Sequence, residues 1–441
     1  MHQRFFYAQL VRLSLFQMAY GVLLGLLNDT LNRVMKVELA LPATLVFTLI
    51  NLKELLAVFG IKVWAGNLSD RSTFFGYRRF PFMVLGLVLS CVSFFFIAPA
   101  AFEMQSNYLS GFIKLIVAFT LFGIGLHISL TTYYGLVVDF AGEKNLGKVA
   151  SLSWSLLVLA GIVTAVAVGR YLKTEFSEAR LTSVMQTASM VALGIGLFAS
   201  VGIERRNAES SAVKAEESIS FAQSLRLMRS SPLTLSFAFY IFVSIFAAFG
   251  NELVMEPFGG EVFGLSVAET TQFKPLMGGT QLIFMLLTGF FINRTGNRNA
   301  ILFGNTVSIL GFILLIASAV LLNKMLLNVS LVVLGMGLGV SNIGNITLMM
   351  SMNAGRGGLF MGLWGTAQSA AMFAGSTGVG AVLDAVIHLT GGNPLIGYAS
   401  VFGLEILGFV ISTVMLSSIS REAFESETKV KLEEVLAVAA D

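Results

Sequence analysis

The chain has 441 residues, 56% of them hydrophobic and 12% charged, with a net charge of +3 and a mean hydropathy of +0.82. A soluble domain is roughly a quarter charged, so this composition excludes a protein that faces water all round, and scattered Lys and Arg exclude the basic footprint of a nucleic-acid binder. The single Cys91 excludes an intramolecular disulfide, and His2, His127 and His388 are too dispersed for a zinc motif.

Apolar runs of about 20 residues, enough for an α-helix to cross the bilayer, recur along the chain. They predict an all-α membrane protein with spans at 10–27, 43–63, 81–102, 111–138, 149–169, 181–203, 232–254, 271–292, 299–322, 326–350, 358–386 and 397–419. These twelve transmembrane helices form two six-helix halves, 1–203 and 232–419, joined by a polar linker at 204–231 and followed by a polar tail at 420–441. The first run leads straight into further spans without a small-residue cleavage pattern, so no cleavable signal peptide is expected. With an even number of spans, the termini and linker share a side. That side collects Arg4, Arg12, Arg71, Arg78, Arg79, Arg205, Arg206, Arg226, Arg229, Arg294, Arg298 and Arg421, and the positive-inside rule makes it cytoplasmic.

A shift of 223 positions lays Asn28-Asp29 on Asn251-Glu252, Gly66 on Gly289 and Asp70-Arg71 on Asn293-Arg294. Such repeats are the expected build of secondary transporters. The segment from Gly66 through Asp70 and Arg71 to Gly76, Arg78 and Arg79 resembles the loop motif between spans two and three of the major facilitator superfamily. That resemblance implies a gating loop of Gly66, Asp70, Arg71, Arg78 and Arg79, with Arg294 and Arg298 in the second copy. A small Gly66 lets helices approach, and a carboxylate at a helix end accepts charge-assisted hydrogen bonds. The sequence departs from the motif by three extra residues before Gly76 and by Asn293 in place of a second Asp; the alternative reading is a basic loop with one acid.

Three blocks carry a more specific resemblance: Leu31 to Ala43, Met255 to Thr271 with Glu256-Pro257-Phe258-Gly259-Gly260-Glu261-Val262-Phe263, and Gly358 to Gln368 continuing to Asp384. They resemble the PucC/LhaA family, major-facilitator-type membrane proteins associated with light-harvesting assembly. The resemblance implies delivery or insertion of (bacterio)chlorophyll as cargo, with no covalently bound cofactor. It also implies the bilayer as environment and a photosynthetic (intracytoplasmic or thylakoid) or plasma membrane as location. Antenna or photosystem polypeptides and pigment-synthesis enzymes are the further partners it implies.

Ionisable residues inside spans cost about 2.5 kcal/mol or more unless paired or hydrated. Lys53, Glu54, His127, Glu252, Asp384 and Glu405 are of this kind. By analogy with the cavity-lining spans of the superfamily, His127, Gln17, Asn251, Glu252, Asn342 and Asn345 are candidates for a pigment or substrate site, with Trp364 and Gln368 as further contacts. A neutral His127 imidazole would be a ligand for chlorophyll magnesium, the alternative being a histidine bonded to a neighbouring helix. Asn32, Arg33, Glu38, Glu256, Gly259 and Gly260 read as loop residues of the family-like blocks, either fastening the loop or gating and docking a partner. Gly142 to Lys148 fits G-x-x-x-x-G-K, but Val149 follows and a span precedes it, so it is not a nucleotide loop. No paired nucleophile and base stands out, and the chain is expected not to be an enzyme. A proton-coupled solute transporter using Glu252, Asp384 or Glu405, and a non-transporting assembly scaffold, remain the alternatives.

Overall fold

The structure is a computed structural model that describes residues 2–141, 146–172, 177–204, 231–352, 357–419, 424 and 426. The linker between 205 and 230, most of the tail, and residues 142–145 of the glycine-lysine segment lie outside the described residues. All regular elements among the described residues are helical, and eleven helices or helical runs are long and apolar enough to cross a membrane. The protein is an integral, multi-pass, all-α membrane protein.

The first half contains α1 (His2–Ser14), α2 (Phe16–Gly25), α3 (Ala43–Ile50), α4 (Leu52–Val58), α5 (Ile61–Arg71), α6 (Phe80–Ser106), α7 (Tyr108–Ala141), α8 (Leu146–Leu172) and α9 (Glu178–Ser200). The second contains α10 (Pro232–Phe249), α11 (Met255–Phe263), α12 (Val267–Thr270), α13 (Gly279–Thr295), α14 (Asn297–Leu321), α15 (Lys324–Ser351), α16 (Gly357–Leu389) and α17 (Pro394–Ser418). Helix starts follow local chemistry. The Ser177, Ser231, Asn323 and Asn393 side chains accept from the amides of Arg180, Thr234, Leu326 and Ile396, with Pro at the start of α10 and α17.

Two of the expected spans differ in form. The second is not one helix: α3, α4 and α5 break at Asn51 (φ −94°, ψ 10°) and at left-handed Gly60 (φ 87°). Lys53 is buried there and its Nζ donates to the Ile50 carbonyl at 2.9 Å, so a polar side chain serves backbone that a continuous helix would have used otherwise. The first span is longer than 10–27, running helically through Ala8–Glu38 with wide π turns at Leu26–Leu31 and Val34–Glu38. Asn32, Arg33 and Glu38 therefore lie on helix, and so do Glu256, Gly259 and Gly260 on α11, where loops were expected. Apolar runs locate helices by hydrophobicity and miss polar helical turns whose side chains find buried partners.

Packing divides the chain into two compact units, Met1–Ala212 with Gly259–Pro275, and Val213–Phe258 with Leu276–Asp441. Each unit repeats the same pairings. In the first, α6 lies along α7 and α9, and α2 along α8 and α9; in the second, α14 lies along α15 and α17, and α10 along α16 and α17. Close approach comes from small residues: a Cβ on Gly86 would stand 2.6 Å from the Gly125 carbonyl oxygen, and one on Gly125 would stand 2.6 Å from that of Gly86. Large apolar side chains such as Phe198, Phe290, Val320 and Val414 are exposed, as expected where lipid is the solvent.

Candidate functional site

A cluster of interior charges lies in the first unit, at the end of the long first span. Arg33 is 3% exposed; its Nη1 pairs with Glu38 Oε1 at 2.5 Å and its Nη2 donates to the Leu265 carbonyl at 2.7 Å. Lys36 Nζ pairs with Glu261 Oε1 at 2.8 Å, and Lys274 Nζ with Asp29 Oδ2 at 3.3 Å. Apart from the Arg33–Glu38 pair, these contacts join the first span to the segment Gly259–Pro275, a strap that packs within the first unit although its neighbours in sequence belong to the second. The strap turns at left-handed Gly264 (φ 62°) and restarts at α12 through a capping box between Ser266 and Glu269. Gly260 makes room for Arg33, since a Cβ there would stand 3.1 Å from Nη2. Asn32 is fully buried in the same turn, and Glu256 is buried on α11 in the second unit.

The Gly66 loop is built differently from its sequence reading. The three extra residues form a tight turn in which Phe74 and Tyr77 exchange backbone hydrogen bonds at 2.9 Å, with Phe75 (φ 55°) and Gly76 (φ 82°) both left-handed. Arg79 Nη1 donates to Ser69 Oγ at 2.8 Å, and its guanidinium lies over Gly135 of α7. The side chains of Asp70 and Arg71 lie outside the described residues. Arg294 and Arg298 are exposed.

A residue assigned to the linker completes this loop. Glu204 follows α9, and its carboxylate accepts from the backbone amides of Arg78 at 2.8 Å, Arg79 at 3.1 Å and Phe80 at 2.7 Å, where α6 begins. A helix start carries unpaired N–H groups and partial positive charge, so an anion belongs there. Sequence reasoning missed it because Glu204 opens a polar stretch and nothing local marks its partner 124 residues away. Replacing Glu204 with Ala is expected to cost about 2 kcal/mol, and with Gln less than half of that, read as the unfolding midpoint of the detergent-purified protein. Equal midpoints for wild type and Glu204→Ala would show that the helix start holds itself.

The candidates for a pigment or substrate site fall in both units. In the first, His127 is 4% exposed and its Nε2 lies 2.7 Å from the Lys53 carbonyl oxygen, which only accepts; Nε2 therefore carries the proton. A magnesium ion would have to displace that bond or use Nδ1. Gln17 donates to the Tyr134 hydroxyl at 2.8 Å. In the second unit Asn345 joins a chain that no apolar run reveals. Tyr240 donates to Asn345 Oδ1 at 2.6 Å, Ser341 to Asn305 Oδ1 at 2.7 Å, and Asn305 to Ser412 and Thr413 at 3.1 and 2.9 Å. Asn345 also donates to the Ser341 carbonyl at 3.0 Å, so the chain links α10, α15, α14 and α17. Trp364 is fully buried, donates to the Met352 carbonyl at 2.9 Å and packs edge-on against Phe237, which makes it a core residue. Asn251 donates to the Ala248 carbonyl at 3.0 Å; Glu252, Asn342 and Gln368 are half-buried. No group of three or more His, Cys, Asp or Glu able to hold a metal occurs among the described residues.

The profile of the family described as "PUCC protein" matches residues 30–424, both units and the strap included. The "Bacteriochlorophyll synthase 44.5 kDa chain" of Rhodobacter capsulatus is 29% identical over 421 residues, 93% of this chain and 95% of that one. "Protein PucC" of Cereibacter sphaeroides is 30% identical over 423 residues, covering 92% and 91%. Among solved structures, a mutant of the nucleoside transporter NupG superposes with a TM-score of 0.70 at 15% identity, covering 94% of this chain and 99% of that one. The D-xylose-proton symporter does so at 0.67 and 15%, covering 92% and 97%. At these identities the likeness is one of fold, the major-facilitator fold.

Proposed function

Because this chain belongs to the PucC protein family, we propose that it delivers or inserts (bacterio)chlorophyll during assembly of light-harvesting or photosystem complexes, and that it is not an enzyme. The observation that carries this reading is the match over residues 30–424 to a family whose relatives share nearly their full length with this chain. A chlorophyll is a large amphiphile and needs apolar burial with few polar contacts. The composition supplies that, with 38 Phe against 25 acidic residues. The engagement of His127 with the Lys53 carbonyl and of Asn345 with Tyr240 and Ser341 also supports it, because interior polar groups already bonded within the protein leave less for a hydrated solute. The relative named as a synthase does not change the assignment: no candidate nucleophile and base pair stands out in this chain, and a pigment-handling subunit fits such a name.

The test is gentle extraction of the tagged protein from its native photosynthetic membrane. A tetrapyrrole absorption band and co-purifying antenna or photosystem polypeptides are expected. A colourless protein that binds a small soluble solute instead would replace delivery with solute transport; polypeptides without pigment would leave a scaffold. Orientation follows from the charge asymmetry: reporters fused at residues 215 and 441 are both expected on the cytoplasmic side. Either reporter on the far side would overturn the count of twelve spans: a split result would mean an odd number of crossings between the two fusion points, in the second half.

A further inference from the structure

The seventh span changes form where the last one meets it. α10 ends at Phe249 (φ −115°, ψ −10°), and the chain tightens into a 3-10 turn over Gly250–Leu253 before α11. α17 lies against this segment in antiparallel register. A Cβ on Gly408 would stand 2.9 Å from the Ala247 Cβ, and one turn away a Cβ on Gly250 would stand 2.9 Å from Glu405 Oε1. Within one turn of the acid on either side, the buried stripe of α17 is apolar or small, with Val401, Phe402, Gly408 and Phe409 around it; Tyr398 and Ser412 lie two turns away. Glu405 is 0% exposed, and neither carboxyl oxygen has a hydrogen-bond partner among the described residues.

An ionised carboxylate without a partner is far costlier in such a place than the neutral acid. The titratable or charged groups on the elements packed against α17 are Tyr240 on α10, Glu252 on the 3-10 turn, Glu256 and Glu261 on α11, whose Phe258 packs on Tyr398 and Phe402, Arg298 on α14, and Asp384 and His388 on α16, with Tyr398 on α17 itself. None of them forms a hydrogen bond or ion pair with Glu405, and Tyr240 donates to Asn345. Gly250 is the residue that admits the carboxyl, since any side chain there would meet it.

We propose that Glu405 is a proton-binding site of the second unit: its carboxyl carries a proton in this packing, and releasing that proton unseats α17 from the turn at Gly250–Leu253. The step breaks one O–H bond, leaves the electron pair on the carboxyl oxygen and passes H⁺ to water. The carboxylate formed needs water or a donor, and the packed stripe supplies neither, so proton release and loosening of this contact go together. The proposal is independent of the cargo.

Infrared difference spectroscopy of the full-length protein in lipid, titrated from mildly acid to alkaline pH, reads the protonated carboxyl directly. Wild type is expected to show one protonated-acid carbonyl band at neutral pH that is lost at alkaline pH and absent from Glu405→Gln. If Glu405→Gln does not fold, Glu405→Asp must instead shift that band. Amide exchange at Gly250–Leu253, corrected for its intrinsic pH dependence, should rise in wild type as the band disappears and stay flat in Glu405→Gln. No such band at neutral pH, a band unaffected by both variants, a band that survives until the protein unfolds, or exchange that ignores the titration would each overturn the proposal.

Discussion

Loss of this protein is expected to lower assembled pigment–protein complex severalfold while transcripts of the structural genes and total pigment synthesis stay close to normal. A protein that acts between synthesis and assembly leaves both inputs intact and starves the product. The measurement is membrane absorption and native gel separation of complexes in a deletion strain, alongside extracted pigment and transcript levels. Normal complexes with altered uptake or export of a soluble solute would end the delivery reading. Deletion with an antenna defect, but a silent His127→Ala, would remove only the magnesium-ligand role, a result that the bond from His127 to the Lys53 carbonyl makes easy to accommodate.

Arg33→Met is expected to destabilise the first unit by about 3 kcal/mol, the cost typical of removing one partner from a buried ion pair. Arg33 is 3% exposed and holds both Glu38 and the strap carbonyl of Leu265, so its loss leaves the buried Leu265 carbonyl unserved and the space of the guanidinium refilled by an apolar side chain. Glu38→Gln, at a side chain 30% exposed, is expected to cost about 1 kcal/mol or less. Unfolding of the purified variants in mild detergent, with protein level in the membrane as a second readout, separates the two. Equal small losses would mean that the strap is held by its other contacts, Lys36 with Glu261 and Lys274 with Asp29. The size of the Arg33 effect follows from burial rather than from charge alone, which is why the two ends of one ion pair are expected to differ.

The spans were legible because hydrocarbon imposes one rule everywhere: backbone groups must be satisfied within the segment, so about 20 apolar residues in a row announce a helix. Eleven of the twelve expected spans appear as continuous candidates for that reason. Helix pairings repeat between the two units, α2 with α8 and α9 in the first and α10 with α16 and α17 in the second. Where polar residues enter a span, hydrophobicity falls silent. It missed the interruption of the second span near Lys53 and Glu54 and the wide turns that carry Asn32 and Arg33 inside, because whether a buried charge is tolerated depends on its partner.

Partnership was decided by tertiary structure. Sequence placed Glu261 beside the seventh span and Lys274 inside the start of the eighth, and folding gave them to Lys36 and Asp29 of the first. Glu204 became the anion at the start of α6, and Glu405 was left against Gly250 with no hydrogen-bond partner among the described residues. Composition and family blocks were enough to identify a membrane bundle of the PucC kind, since lipid acts on each segment separately and the blocks are contiguous. Which charges pair, which helix breaks and which acid is stranded follow only from what lies across a helix interface, often hundreds of residues away, where electrostatics and desolvation depend on ångströms that no local pattern records.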